Sequence, residues 1–157
     1  MPHIHEKIDF TTEVLIVHAD KVLLRLHDKY HIWLGVGGHI ELDEDPTETA
    51  IREVREEVGL DVKLFSPNPE LIRDGDFREL IAPAFLNRHR ISDTHEHISF
   101  IYFAYSETDT IDPAHIAEAL PEIHWFSKEE LSDPKYGIAK TVQKYAAEAL
   151  RLLAQSR

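Results

Sequence analysis

The sequence predicts an α/β fold in which a mixed β-sheet lies between helices. Three observations carry that prediction: runs of strand length dominate the first two thirds of the chain, one strongly signalled helix interrupts them, and a second helical periodicity closes the sequence. At 157 residues, with no internal repeat or low-complexity linker, residues 1–157 are expected to form one domain with an adequate core.

Taken in order, Thr12 to His18 and Lys21 to His27 carry the aliphatic runs Val14-Leu15-Ile16-Val17 and Val22-Leu23-Leu24 on either side of Ala19-Asp20, and read as a buried β-hairpin. Ile32 to Leu34 and Val36 to Glu41 are short extended pieces around Gly35, Gly37 and Gly38. A helix follows. Asp45 suits its N-cap, Pro46 its first position and Glu48 its third, where a carboxylate reaches back to the cap; Gly59 ends it. Ile51, Val54 and Val58 form its expected apolar stripe.

Val62 to Phe65 reads as a strand broken by Ser66-Pro67-Asn68-Pro69, and Leu71 to Phe77 contains the turn Asp74-Gly75-Asp76. Leu80 to Leu86 and Ile98 to Tyr105 are read as further strands, the second dense in β-formers. Ile123 to Phe126 is a last short strand, and Ser127 caps Lys128 to Leu131. Tyr136 to Leu153 has helical spacing at Ile138, Val142, Tyr145, Ala149 and Leu152, suited to packing on a sheet.

Composition narrows the function. With 17 basic and 29 acidic residues the net charge is −12, which repels polyanions and argues against nucleic-acid polymers as partners. Small phosphorylated molecules stay compatible if a cation and a few local basic groups offset the repulsion. Cysteine is absent, which excludes disulfides and thiolate chemistry. There is no apolar run of membrane-spanning length and no signal-peptide pattern in Met1 to Phe10, so a cytoplasmic protein with no membrane partner is expected. The 11 histidines are many for this length, but most are scattered, as structural and surface histidines are.

The predicted central helix carries Glu53, Glu56 and Glu57 at i, i+3 and i+4, on a different side from its apolar stripe. Like charges at that spacing cost roughly 0.2–0.5 kcal/mol per pair, and more inside a cleft. Arg52 and Arg55 relieve part of this. Carboxylates are what Mg²⁺ or Mn²⁺ prefers, so the acid side reads as a metal bed. The other reading is a solvated, salt-bridged face.

The surrounding run decides between them. From Gly38 to Leu60 it follows Gly, five residues, Glu, seven residues, Arg-Glu-aliphatic-any-Glu-Glu-any-Gly-aliphatic, and in that form it resembles the signature box of the Nudix hydrolases. Gly38, Glu44, Arg52, Glu53, Val54, Glu56, Glu57, Gly59 and Leu60 all match. Seven positions demand one residue type each, so a chance match has a probability on the order of 10⁻⁸ at typical residue usage. Outside the box the resemblance runs from about Phe10 to Ala149 and rests on element order. Val36 stands where the family commonly has proline.

The resemblance implies a Nudix-type α/β/α sandwich and a divalent-metal-dependent hydrolase. Such an enzyme cleaves the pyrophosphate linkage of a nucleoside diphosphate derivative, such as a nucleoside triphosphate or nucleotide sugar, by water attack on phosphorus. It implies that Glu53, Glu56 and Glu57 hold Mg²⁺ or Mn²⁺, with Glu53 also polarising the water. It further implies that Arg52 orients a carboxylate and that a backbone carbonyl at Gly37 or Gly38 completes the metal shell, a simple bulge being the alternative at Gly37. Glu44, in the loop before the helix and able to fold back toward its positive N-terminal end, reads as a supporting group rather than a direct ligand. Glu96, in Thr94-His95-Glu96-His97, is either a further metal ligand or base, or a loop carboxylate; His95 and His97 share one side of an early-starting strand, which suits phosphate or metal, with surface histidines as the favoured alternative.

Arg25, Arg73, Arg78, Arg88 and Arg90 are basic groups for substrate phosphates, with a solvated surface role as the alternative for each. Trp33 is open to base stacking or to core packing. A non-catalytic Nudix-like nucleotide sensor is the competing function. A similar isoprenoid-diphosphate isomerase is disfavoured because that group relies on cysteine. A homodimer fits the family.

Overall fold

The computed structural model describes residues 7–112 and 122–155. Its first half holds β1 (Ile8–His18), β2 (Lys21–Leu26), β3 (Trp33–Leu34), β4 (Val36–His39), α1 (Pro46–Val58) and β5 (Val62–Leu64). There follow β6 (Arg73–Asp74), β7 (Phe77–Arg78), β8 (Phe85–Arg90), β9 (Glu96–Ser106), β10 (Ile123–Phe126), α2 (Lys128–Leu131), a 3₁₀ turn over Pro134–Tyr136, and α3 (Lys140–Leu153).

The spine is the parallel pair β1 and β9, in register from Ile8 opposite Glu96 to Val17 opposite Tyr105. Each is 11 residues long, enough to serve two partners. On its outer edge β1 pairs β4 through Thr11 to Val14 and β2 through Ile16 to His18. Likewise β9 pairs β8 near its start and β5 near its end. All pairings except the central one are antiparallel, so the sheet is mixed.

Side chains alternate between the two faces of a strand, and the sheet uses both. Val14, Ile16, Leu23, Val36, Tyr102 and Ala104 pack with Ala50, Val54 and Val58 of α1. Leu15, Val17, Val22, Leu24, Ile101 and Phe103 pack with Val142, Ala146, Ala149 and Leu150 of α3. This is the expected α/β/α sandwich. No helix among the described residues is long and apolar enough to cross a membrane.

Several boundaries differ from the sequence reading. The buried stripe of α1 is Thr49, Ala50, Val54 and Val58, while Ile51 is exposed; the small Ala50 is what lets the helix lie close to the sheet. The strand expected over Leu80 to Leu86 forms instead at Phe85–Arg90, because Pro83 has no N–H for a ladder and pairing starts only at the Ala84 N–H. The charged residues of β8 suit an outer strand, where they block further pairing. The last helix starts at Lys140 rather than Tyr136, since Gly137 takes a left-handed φ of 61° and stops the preceding turn.

Candidate active site

Helix α1 begins with a full capping box. The Asp45 carboxylate accepts from the N–H groups of Thr47 at 2.8 Å and Glu48 at 2.9 Å, and Glu48 accepts from the Asp45 N–H at 2.9 Å. At the other end Gly59 closes the helix at φ 67° and donates to the Arg55 carbonyl at 3.0 Å. Fixed at both ends and packed on the sheet, α1 turns Glu53 and Glu57 toward β4.

There the glycines matter. A β-carbon on Gly38 would lie 2.3 Å from Glu53 Oε1, so the carboxylate rests directly on the glycine backbone. Gly37 is pressed against β1, where a β-carbon would lie 1.9 Å from the Thr12 carbonyl oxygen. Its backbone N–H also donates to Glu57. Arg25, on β2, forms an ion pair with Glu57 at 2.9 Å. That contact lacks hydrogen-bond alignment, and the buried Glu57 Oε2 has no hydrogen-bond partner.

Arg52 holds the rest of the acid side. Its guanidinium grips Glu44 through Nε at 2.5 Å and Nη2 at 2.9 Å, and donates from Nη1 to Glu53 at 2.8 Å and to Glu56 at 3.1 Å. Nη2 also donates to the His39 carbonyl at 3.2 Å, which ties the helix to the end of β4. Glu44 accepts in addition from the Thr49 hydroxyl at 2.8 Å.

The three box glutamates do not meet at one point. Glu56 is 59% exposed and leans toward Arg52, whereas Glu53 and Glu57 are mostly buried, with side chains 14% and 23% exposed. Among the described residues the three do not bring ligand atoms within 4.8 Å of one another. Each touches an arginine, yet a carboxylate offers about four lone-pair sites and one guanidinium contact does not exhaust them.

Electrostatics separates the same groups. Burial pushes the Glu57 carboxyl up to about 7, opposed by Arg25 and reinforced by Glu53. Burial also raises Glu53, against the pull of Arg52. The hydrogen bonds from Arg52 hold Glu44 down at about 2. A crowded, desolvated pair of carboxylates, one oxygen of which makes an ion pair but no aligned hydrogen bond, fits the donor set a hard divalent cation takes.

A family model described as NUDIX domain matches residues 8–149. The chain belongs to the Nudix family. It is similar to a NUDIX-family hydrolase from Clostridium perfringens at 37% identity and a TM-score of 0.79, over 92% of this chain and 97% of that one. The dihydroneopterin triphosphate pyrophosphohydrolase of E. coli shares the fold at 14% identity and a TM-score of 0.62, over 94% and 99% of the two chains. An ADP-ribose pyrophosphatase from Streptococcus suis 89-1591 shares it at 17% identity and a TM-score of 0.55, over 95% and 94%. The protein is a Nudix pyrophosphohydrolase.

Other expected Nudix residues lie apart from the glutamates. Trp33 is not available for stacking: it is 7% exposed and meets Phe126 edge-on at 5.0 Å in the core under α3. Arg78 reaches over the N-terminus of α1 to Asp45 at 2.9 Å, and Arg73 lies opposite it in the exposed β6–β7 hairpin. Arg90 pairs Asp93 at 2.9 Å, and Arg88 pairs Glu96. Glu96 is level with Ile8 on β1, whereas Gly38 is level with Thr12. Four residues of strand, about 13 Å, separate those levels, so Glu96 is removed from the carboxylate pair.

Two groups escaped the sequence reading, Asp9 and His39, while His89 reads in the sequence as a basic group for phosphate beside Arg88 and Arg90. With His95 and His97 these three form a cluster at the start of β9. The His97 imidazole is kept neutral, its pKa lowered to about 4 by burial and by His39, His89 and His95. The His-x-His spacing on one strand side was the available signal; the Asp9 contribution depends on long-range pairing.

Proposed function

We propose that the protein hydrolyses the pyrophosphate linkage of a nucleoside diphosphate derivative with a divalent cation, Mg²⁺ or Mn²⁺, held by Glu53 and Glu57 beside the Gly37-Gly38 backbone. The observation that carries this reading is the pair of mostly buried carboxylates, Glu53 and Glu57, of which Glu57 Oε2 is met by Arg25 at 2.9 Å but by no aligned hydrogen bond, a pair that desolvation disfavours as anions. Glu56, more exposed, takes an outer place in the set. A bound cation of this kind neutralises phosphoryl oxygens and acidifies a coordinated water.

The chain's own groups divide the remaining work. Glu53, resting on Gly38, is aimed by Arg52 and takes the proton of the attacking water, a contribution of roughly 10²–10⁴-fold. Glu44 fixes Arg52 through two hydrogen bonds, so that its charge serves Glu53. Arg25 limits the repulsion between Glu53 and Glu57. Arg78 and Arg73, on the hairpin by the α1 N-terminus, are the basic groups offered to substrate phosphate. The substrate is a nucleoside triphosphate or nucleotide sugar, the enzyme acts in the cytoplasm, and a homodimer is in keeping with the family.

A hydrolysis screen over nucleoside triphosphates, dinucleoside polyphosphates and nucleotide sugars tests the reading. Turnover that needs Mg²⁺ or Mn²⁺ and releases a nucleoside monophosphate or phosphate is expected. Tight nucleotide binding without cleavage, measured by calorimetry with metal present, would favour the sensor function instead.

A further inference from the structure

We propose that Asp9, His95 and His97, with His39 as a fourth group, form a binding site for a transition-metal cation of the zinc class, on the face of the sheet opposite the Nudix carboxylates. Strand pairing sets Asp9 beside His97 and His97 beside His89, and places His39 beside Thr11. These positions share the alternation of Leu15, Ile101 and Phe103, which pack under α3. Gly38, beneath Glu53, shares that of Val14 and Val36, which pack under α1. The two sets of ligands are therefore separated by the sheet itself.

The geometry is that of a chelating set. Ligand atoms of Asp9, His95 and His97 all lie within 4.8 Å of one another. Tetrahedral zinc, with bonds of about 2.0–2.1 Å, spaces its ligand atoms about 3.3 Å apart. Asp9 Oδ2 stands 3.1 Å from His95 Nε2 and 3.5 Å from His39 Nε2, on either side of that spacing. Asp9 is 1% and His95 9% exposed, so these two donors are withdrawn from water, while His39 and His97 lie at the partly exposed side of the set.

A second observation points to a ligand. His97 Nε2 is buried and has no hydrogen-bond partner among the described residues, although its ring is packed against those of His39, His89 and His95 at centroid distances of 4.9, 5.5 and 5.1 Å. A buried polar atom left unsatisfied is costly and uncommon. A purely structural Asp–His contact accounts for Asp9 and His95 and leaves His97 unexplained. Imidazole nitrogens select zinc and its neighbours over Mg²⁺, which prefers oxygen throughout. A cation here ties the start of β1 to the start of β9 and the end of β4.

Zinc titration of the untagged full chain, by calorimetry in excess Mg²⁺, tests the site. One Zn²⁺ per chain is expected, held equally by the unmutated protein and by Glu57→Gln, and weakened roughly 10²-fold by His97→Gln or His95→Gln. Saturation is expected to raise Tm by about 5–10 °C. To avoid reliance on folding of the variants, the imidazole NMR signals of the unmutated chain are followed: substoichiometric Zn²⁺ is expected to move those of His95 and His97 first. Zinc uptake lost in Glu57→Gln, unchanged in His97→Gln, or accompanied by no change at His95 and His97 would overturn the proposal.

Discussion

The Glu53 carboxylate lies against the bare backbone of Gly38, so closely that a β-carbon there would stand 2.3 Å from Oε1. At this position glycine provides space for a functional group, whereas at Gly37, where a β-carbon would stand 1.9 Å from the Thr12 carbonyl oxygen, it provides space for a neighbouring strand.

That contrast yields the first prediction. Gly38→Ala is expected to displace Glu53, lowering kcat/KM on the order of 10²-fold, with a modest change in Tm because the crowded atom is the end of a side chain. Gly37→Ala collides with backbone and is expected to cost about 1–3 kcal/mol or more in stability. Paired melting curves and steady-state kinetics distinguish them; equal loss of stability in both would count against the assignment.

The second concerns pH. Glu57 titrates near 7 in the fold against an ordinary value of 4.5. A group raised on folding stabilises the native state below its unfolded pKa and loses that contribution as pH rises through the folded one. In chelator-treated protein, Glu57→Gln is therefore expected to gain on the order of 2 kcal/mol relative to the unmutated chain between pH 5 and pH 8. Urea denaturation at the two pH values measures the difference. Parallel behaviour of the two proteins would contradict the shift.

The third concerns Arg52, which holds Glu44 by two bonds and Glu53 by a third. Lysine keeps the charge but not the fork, and cannot serve both carboxylates. Arg52→Lys is expected to lower kcat on the order of 10–10²-fold with KM little changed. A loss confined to KM would show that Arg52 handles substrate instead.

The fourth is local. Asp45 caps α1 through two N–H groups and meets Arg78, so Asp45→Ala is expected to destabilise by about 1–2 kcal/mol, measured by chemical denaturation. No loss would mean the cap is replaceable.

Much of this was legible in the chain. The cap at Asp45, the stop at Gly59 and the hairpin around Ala19-Asp20 are local signals, and each forms where its residues indicate. What escaped depends on contacts distant in sequence. The orientation of Glu56 follows from Arg52, Ile51 is turned outward by the close seat of Ala50, and β8 starts where Pro83 permits pairing with β9. Asp9 gives no signal by itself; only the parallel register of β1 and β9 brings it to His97. Trp33 shows the same limit, since an aromatic beside a glycine-rich stretch suits a base as well as a core until Phe126 is seen against it.

The central claim is that Glu53 and Glu57 together hold the divalent cation used in hydrolysis. Mn²⁺ binding, followed by electron paramagnetic resonance in the unmutated protein and in Glu53→Gln and Glu57→Gln, tests it directly. The account predicts binding weakened at least about 10-fold in each variant, in step with loss of turnover; unchanged Mn²⁺ affinity in both variants would contradict it.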